Sequence, residues 1–189
     1  MKTALIFLMI FSLSESFSIA QTVQTDGTVT GQIICYLIDS PDNYYVGTTE
    51  GIFRSSDKGS SWVAVNLKVT NVRSLAMVRT TMFAGTDGGG VFVSTNSGEN
   101  WKAAGDGMSN KNVLSLAAGD ASVFAGTRNG GIFMTENGGE SWKEISEGIP
   151  RNANIYALAS VGRTLYAGSQ LGVFSSPDAM VRWSILPEK

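Results

Sequence analysis

The sequence STNSGENW at residues 94–101 decides the fold, because related stretches stand at three other places in the chain. SSDKGSSW occupies residues 55–62, and TENGGESW occupies residues 135–142. A degenerate copy, SPDAMVRW, occupies residues 176–183 and has methionine at the position of the glycine. The tryptophans that end the four copies are 39, 41 and 41 residues apart. A fixed period of this length indicates a stacked β-repeat.

Other residues recur around each motif. A glycine at position 47, 85, 126 or 168 is preceded by leucine at ten residues and by isoleucine or valine at thirteen; in the first repeat these are Leu37 and Ile34. Short apolar runs separated by Gly, Asn and Asp, without a helical period, predict four short strands per repeat. We therefore predict an all-β fold, a β-propeller of four-stranded blades with four repeats that is either small or incomplete.

The predicted propeller domain covers residues 21–189. Its repeats extend over about 33–66, 71–107, 112–148 and 154–189. Four blades lie at the lower end of the typical 4–8. Residues 21–30 could supply a closing strand beside the last strand of the fourth repeat. If they do not, the open blade edges would favour self-association.

The repeated residues are of the types that build turns and cores. The Asp or Asn can accept hydrogen bonds from backbone N–H groups of a turn, and the glycine can adopt a positive φ. The tryptophan is expected to cover the turn and fill the space between blades. This structural role is predicted for Ser55, Asp57, Gly59, Trp62, Ser94, Asn96, Gly98, Trp101, Thr135, Asn137, Gly139, Trp142, Asp178 and Trp183.

The first 20 residues have the pattern of a secretory signal. Lys2 supplies positive charge, residues 4–13 are apolar, and residues 18–20 offer a small-residue cleavage site. The apolar stretch is shorter than the roughly 20 residues that span a bilayer. The sequence therefore predicts a signal peptide over residues 1–20 and a secreted protein, extracellular or periplasmic, with no membrane span after cleavage. A retained N-terminal anchor is the alternative.

Composition excludes several classes of function. The net charge is −2 with 16% charged residues and no basic cluster, which argues against nucleic-acid binding. Histidine, the commonest general base and metal ligand, is absent. The single cysteine, Cys35, excludes an internal disulfide, and its apolar surroundings predict a buried core residue. We predict no cofactor and no metal site, because no loop has the oxygen-ligand spacing of a calcium site.

The motif is similar to the Asp-box, or BNR repeat, of sialidases, sortilin-type receptors, xyloglucan-cleaving hydrolases and the photosystem II assembly factor family. The unit FAGTDGGGVFVS at residues 83–94 looks most like the secreted bacterial members with assembly-factor-like or sortilin-like repeats. The resemblance covers about residues 33–183 and implies a β-propeller whose Asp-boxes lie away from the ligand-binding face. Sialidases have a Phe-Arg-Ile-Pro segment and three arginines in their active site. Residues 53–56 of this chain are not such a segment, and no arginine triad repeats at matching positions. The resemblance therefore does not imply sialidase activity.

Candidate ligand-binding residues lie on the turns between second and third strands, which propeller geometry places opposite the Asp-boxes. They are Glu50, Asp87, Arg128, Asn129 and Gln170. The residues at these positions differ between the repeats, whereas the residues around them recur. This pattern fits a binding surface and also fits unconstrained solvent-facing turns. Glu50 and Asp87 are the one carboxylate pair nominated for glycoside hydrolysis. No residue is assigned a catalytic role.

The sequence thus favours a secreted, non-catalytic β-propeller that binds or scaffolds a protein or glycan partner. Two alternatives stay open. One is a reduced relative of Asp-box glycoside hydrolases, sialidase-like or xyloglucanase-like, and the other is a truncated fragment of a larger propeller.

Overall fold

A computed structural model describes residues 29–177 and 182–187, together with the backbone of residues 7–8 and 21–22. The rest of the predicted signal peptide lies outside the described residues, as do residues 178–181 with Asp178. All assigned elements are β-strands, so the predicted all-β class is confirmed. No described segment forms a helix with the length and apolarity that crossing a membrane requires.

Sixteen of the strands form four antiparallel sheets, each with its strands in chain order. Blade one contains β3 (Ile33–Ile38), β4 (Tyr44–Thr48), β5 (Ile52–Ser55) and β6 (Val63–Ala64). Blade two contains β7 (Val72–Val78), β8 (Thr81–Thr86), β9 (Gly90–Ser94) and β10 (Lys102–Ala103). Blade three contains β11 (Val113–Ala118), β12 (Val123–Thr127), β13 (Ile132–Thr135) and β14 (Lys143–Glu144). Blade four contains β15 (Ile155–Val161), β16 (Thr164–Ser169), β17 (Gly172–Ser176) and β18 (Ser184–Ile185).

The first strands of the blades pack side by side, as the inner strands of a propeller do. β3 packs on β7, β7 on β11, and β11 on β15. Among the described residues, β15 and β3 do not pack on each other in the same way. The predicted four-bladed arrangement is therefore confirmed, and its described blades form an open arc.

The remaining two strands are short. β1 (Phe7–Leu8) and β2 (Gln21–Thr22) pair with each other. Gln21–Thr22 therefore does not extend blade four, as the suggested closing strand would have done. Residues 23–28 of that suggested strand lie outside the described residues.

The apolar core lies between consecutive blades. Between blades two and three, Phe83, Val91 and Val93 pack with Val113 and Phe133. Equivalent clusters fill the spaces between blades one and two and between blades three and four. Each blade is thus stabilised by contacts with its neighbour, as in other repeat proteins.

A glycine in the second strand of each of the first three blades makes this close packing possible. A Cβ added to Gly47 would lie 2.7 Å from Val72 Cγ1, and one added to Gly85 would lie 2.6 Å from Val113 Cγ1. One added to Gly126 would collide with Ile155. The glycine column therefore forms a notch, and the β-branched residue that begins the next inner strand fills it.

The predicted alignment of blade one is wrong by one residue. Ile33 pairs with Thr48, as Val72 pairs with Thr86, so Ile33 and not Ile34 begins the repeat. The position that leucine holds in the other blades is likewise occupied by Tyr36 and not by Leu37. The physical reason is the turn between Ile38 and Tyr44, whose length shifts the first strand by one position relative to the other blades.

The corrected register gives Cys35 the position of Ser74 and Ser115. Cys35 Sγ lies 3.6 Å from the Val72 carbonyl, and Ser115 Oγ donates a 2.9 Å hydrogen bond to the Ile155 carbonyl. Both side chains join one inner strand to the next. Burial raises the pKa of the Cys35 thiol to about 12, which keeps it protonated and unreactive at neutral pH.

Candidate functional site

The surface opposite the Asp-box turns consists of the second-to-third strand turns and the links between blades. We call it the link face. Its turns are residues 49–51, 87–89, 128–131 and 170–171. Antiparallel order puts these turns and the links at one end of every blade, and the Asp-box turns at the other.

Backbone hydrogen bonds connect the turns of the link face to the links. Asn71 N–H donates to the Thr49 carbonyl, and Asp87 N–H donates to the Asn71 carbonyl, both at 3.1 Å. Arg128 N–H donates to the Asn112 carbonyl at 3.0 Å. The first bond joins the turn of blade one to the following link, and the other two join the turns of blades two and three to the links that precede those blades. The side chains on these three turns therefore stand on a hydrogen-bonded frame.

Two of the predicted residues, Asp87 and Arg128, form an ion pair across blades two and three. Arg128 Nη2 lies 2.7 Å from Asp87 Oδ2, and Arg73 Nη2 lies 3.0 Å from the same oxygen. The arginine side chains are 41% and 38% exposed, whereas that of Asp87 is 19% exposed. Two guanidinium groups against one carboxylate leave a net positive charge at the surface.

Sequence reasoning missed Arg73. Arg73 lies on the inner strand β7, whereas the predicted ligand-binding residues lie on turns. A signal was available, because the corresponding positions in the other three blades hold uncharged residues. Those residues are Ile34, Leu114 and Tyr156.

Asn129 and Gln170 lie on the link face and contact the link between blades three and four. Asn129 N–H donates to Asn154 Oδ1, and Asn154 N–H donates to Gln170 Oε1, both at 2.8 Å. Gln170 Nε2 donates to the Asn152 carbonyl at 2.7 Å. The amide side chains of Gln170 and Asn154 are thus used in joining blades.

Glu50 is exposed on the turn of blade one, and its N–H donates to Thr48 Oγ1 at 3.0 Å. Among the described residues, its carboxylate has no hydrogen bond or ion pair. Of the five predicted residues, the structure therefore brings Asp87 and Arg128 into contact, and Asn129 and Gln170 around Asn154. Glu50 stands apart.

A polar cleft of about 590 Å³ opens on the link face beside blade three. Its walls include Asn110, Asn129, Glu144, Glu147 and Arg151. Sequence reasoning did not bring Glu144 and Glu147 together, because one lies on the outer strand β14 and the other on the following link. Arg182 Nη2 lies 3.3 Å from Glu147 Oε1.

The Asp-box turns lie at the opposite end of the blades. Asp57 accepts hydrogen bonds from Ser61 Oγ at 2.6 Å, from Ser61 N–H at 2.8 Å and from Ser55 Oγ at 2.7 Å. The bonds from Ser61, followed by that from Ser55, lower the pKa of Asp57 to about 2. Asn96 and Asn137 accept the corresponding backbone bonds at 3.0 Å. These side chains are occupied within their own turns.

Three of the tryptophans pack between blades, whereas Trp62 packs against Val46 and Phe53 of its own blade. Trp142 and Trp183 donate their indole N–H to carbonyls of the preceding blade, those of Ala104 and Ile145. Trp101 is only partly buried and donates to Gly98 of its own turn at 3.0 Å. Trp62 is buried and bonds its own turn in the same way.

Neither a family model nor a curated protein sequence matches the chain. Solved structures do match. An ancestral GH74 enzyme has 22% identity and a TM-score of 0.70 over 84% of this chain and 24% of the enzyme chain. YCF48 bound to D1 peptide has 16% identity and a TM-score of 0.65 over 87% of this chain and 56% of YCF48.

The extracellular domain of BT4673 from B. thetaiotaomicron has 18% identity and a TM-score of 0.74 over 87% of this chain and 23% of that chain. The present chain thus spans between 23% and 56% of these three structures. Identities at this level show the fold and not the activity. The expected resemblance to propeller proteins is confirmed, and the chain has a β-propeller fold.

Proposed function

We propose that this chain is a secreted, non-catalytic propeller module that binds a protein partner through its link face. The observation that carries the proposal is the Arg73–Asp87–Arg128 cluster. Its two guanidinium groups are partly exposed, share one carboxylate oxygen and stand on a frame fixed by backbone hydrogen bonds.

The cluster suits recognition better than hydrolysis. A glycosidase acid needs a carboxyl group with a raised pKa, and its partner must be free to act on the sugar or on water. The Oδ2 atom of Asp87 is instead occupied by two guanidinium groups, so this carboxylate is not free to act on a substrate. Asp87 therefore serves to hold the arginines in place.

The arginines define the chemistry of the partner. A guanidinium group has five N–H donors in a planar fork that matches a carboxylate. Arg73 and Arg128 each give Nη2 to Asp87. Arg73 Nε is buried, and the partial exposure of both side chains leaves the remaining guanidinium donors for a ligand. An acidic segment of a polypeptide would supply the matching carboxylates. The YCF48 structure supports a polypeptide ligand, since that propeller was solved with a peptide bound.

A peptide array tests the proposal. The purified chain is applied to short peptides of varied sequence, and we expect the bound peptides to be enriched in Asp and Glu. The double variant Arg73→Ala/Arg128→Ala should weaken binding by about tenfold or more. Binding by the wild-type chain should also weaken as the salt concentration rises, because exposed charge pairs are screened.

Two further variants serve as controls. Lys102→Ala removes one exposed positive charge on the outer strand β10, away from the cluster, and should bind like the wild type. Asp87→Asn keeps both arginines and removes the competing charge, so binding should be retained or strengthened. Bound peptides without acidic enrichment, or equal binding by the double variant, would contradict the proposal.

One observation favours a second function, glycoside hydrolysis. The cleft beside blade three contains two carboxylates, Glu144 and Glu147, and amides that could bind sugar hydroxyl groups. GH74 enzymes are among the structural neighbours. Incubation with xyloglucan oligosaccharides, followed by mass spectrometry, tests this alternative. Cleavage that is lost in both Glu144→Gln and Glu147→Gln would replace the binding proposal with the enzymatic one.

Secretion belongs to the same proposal. It rests on the charge and apolar pattern of residues 1–20 and on the extracellular domain of BT4673 among the structural neighbours. N-terminal sequencing of the protein recovered from a secreting bacterial host should begin at Gln21. A chain that stays in the cytoplasm with Met1 in place would contradict it.

A further inference from the structure

The side of blade four that faces away from blade three is built like a blade interface that lacks its partner. We call it the forward face, and it consists of Tyr166, Gly168, Val173 and Leu186. Tyr166 is 37% exposed, whereas its counterparts Tyr45, Phe83 and Phe124 are 0%, 1% and 4% exposed. Val173 is 45% exposed, whereas Ile52, Val91 and Ile132 are at most 1% exposed. The counterparts are covered by the next blade.

Gly168 adds a more specific signal. In blades one to three, the corresponding glycine is required because a β-branched residue of the next blade fills its notch. A Cβ added to Gly168 would meet only the Cβ of Ala157, at 3.6 Å, and its backbone does not need a positive φ. Nothing within the described structure requires glycine here. The notch is present and unfilled.

Tyr166 occupies in blade four the position that Tyr45 occupies in blade one. Tyr45 donates its hydroxyl at 3.0 Å to the Ser97 carbonyl, which belongs to the Asp-box turn of the next blade. Phe83 and Phe124 occupy this column in blades two and three and have no hydroxyl group. Tyr166 thus carries a donor in the position from which Tyr45 reaches a neighbouring blade.

We propose that the forward face of blade four docks blade one of a second copy of this chain. The argument is continuity with the three interfaces inside the chain, which specify what the notch accepts. Val72, Val113 and Ile155 fill the notches of blades one to three, and the corrected register makes Ile33 the fourth member of this column. Ile33 is β-branched and only partly buried.

The receiving side of blade one is suited to the same contact. Val46, Phe53 and Trp62 form its buried cluster, with Val29 and Ile33 packed against it. The outer part of this side is already covered within one chain, because Val46, Phe53 and Trp62 are 2%, 5% and 4% exposed. Its inner strand is uncovered: Tyr36 is 45% exposed, whereas Leu75 and Leu116 at the equivalent positions are each 8% exposed. The second copy would therefore dock against the inner strand of blade one.

Two such contacts, related by a twofold axis, would close two open arcs into one ring. A head-to-tail contact that closes by rotation produces a finite assembly rather than a filament. The ring would have about eight blades, which is within the typical range. Closure would cover both forward faces at once and leave both link faces accessible.

Light scattering coupled to size exclusion tests the proposal on the full chain. We expect a dimer whose mass falls to that of one chain only on strong dilution. Gly168→Val should weaken dimerisation by about tenfold or more, because its side chain occupies the notch. The variant should keep the wild-type circular dichroism spectrum, since the described structure has room for the side chain.

The controls separate the proposed contact from other associations. Val63→Ser changes an apolar side chain that is 70% exposed and lies outside both docking faces, and it should leave the dimer intact. Ile33→Ala should weaken the dimer from the receiving side. A monomeric wild type at all concentrations, a dimer unaffected by Gly168→Val, or a dimer sensitive to Gly168→Val and indifferent to Ile33→Ala would overturn the proposal.

Discussion

Asp57 and the asparagines of the other Asp-box turns accept equivalent hydrogen bonds with a carboxylate in one case and an amide in the others. Asp57 accepts bonds from Ser55, from Ser61 N–H and from Ser61 Oγ. Asn96 and Asn137 each have one side-chain oxygen, which accepts the bond from the Ser or Thr hydroxyl and the bond from the backbone N–H. The carboxylate of Asp57 has a second oxygen that receives the Ser61 hydroxyl, and the charge strengthens each bond.

The stability contributed by Asp57 should depend on pH. Hydrogen bonds to its charged form lower its pKa from 3.8 to about 2 in the folded chain. The folded state therefore binds the proton less readily than the unfolded state does, so the contribution is complete above about pH 4 and is lost as pH falls toward 2. Melting temperatures of wild type and Asp57→Asn should converge over this range. A difference that does not change with pH would contradict the assignment.

At the scale of the elements, the unit of stability is the pair of neighbouring blades. Phe83 of blade two meets Trp142 of blade three edge to face, with ring centroids 6.5 Å apart. The Trp142 indole also donates to the Ala104 carbonyl of blade two. The tryptophan that ends one motif is therefore part of the core shared with the blade before it.

Trp142→Ala and Trp101→Ala should differ in cost. Removal of the buried Trp142 should lower the free energy of unfolding by about 3–5 kcal/mol, because it leaves a cavity between two blades. Trp101→Ala should cost less, since Trp101 is only partly buried and its N–H bonds its own turn. Urea denaturation of both variants measures the difference. Equal losses would show that the two indoles are equivalent in packing.

The glycine notches give a second prediction at this scale. Gly85→Ala should destabilise the chain by about 1–3 kcal/mol, because its Cβ would overlap Val113. Gly168→Ala should change the stability of the monomeric chain by less than about 0.5 kcal/mol, because its Cβ meets open space beyond Ala157. Denaturation at concentrations below dimerisation compares them. A large loss in Gly168→Ala would mean that the notch is already filled.

For the molecule as a whole, the open arc makes stability uneven. Blades two and three are covered on both sides, whereas the forward face of blade four is exposed. All five residues of β12 in blade three are buried, whereas β16 in blade four alternates between buried and partly exposed positions. A repeat array with nearest-neighbour coupling is weakest at an uncovered end.

Amide hydrogen exchange should reveal this gradient. In the monomeric Gly168→Val chain, amides of β16 should exchange about tenfold faster or more than those of β12, because blade four can open without disrupting blades one and two. The dimeric wild type should slow exchange in β16 selectively. Uniform exchange across both strands would indicate a single cooperative unit.

The fold was predictable because its signal is repeated. Four copies of a turn motif, a glycine column and an aromatic column average out the ambiguity of any one strand. Blade one was misaligned because a longer turn shifted its inner strand, and only backbone pairing distinguishes Ile33 from Ile34. Arg73 was missed because its role depends on Asp87 and Arg128, and the latter belongs to another blade.

The sequence by itself determined the all-β class, the four blades and the chemistry of their turns, since these follow from short-range patterns repeated at one period. Tertiary structure alone decided which side chains cross between blades, which carboxylate lies between two arginines, and that Gly168 has an unfilled notch. Those features arise where residues about forty positions apart meet, and the distance between them depends on how the sheets pack.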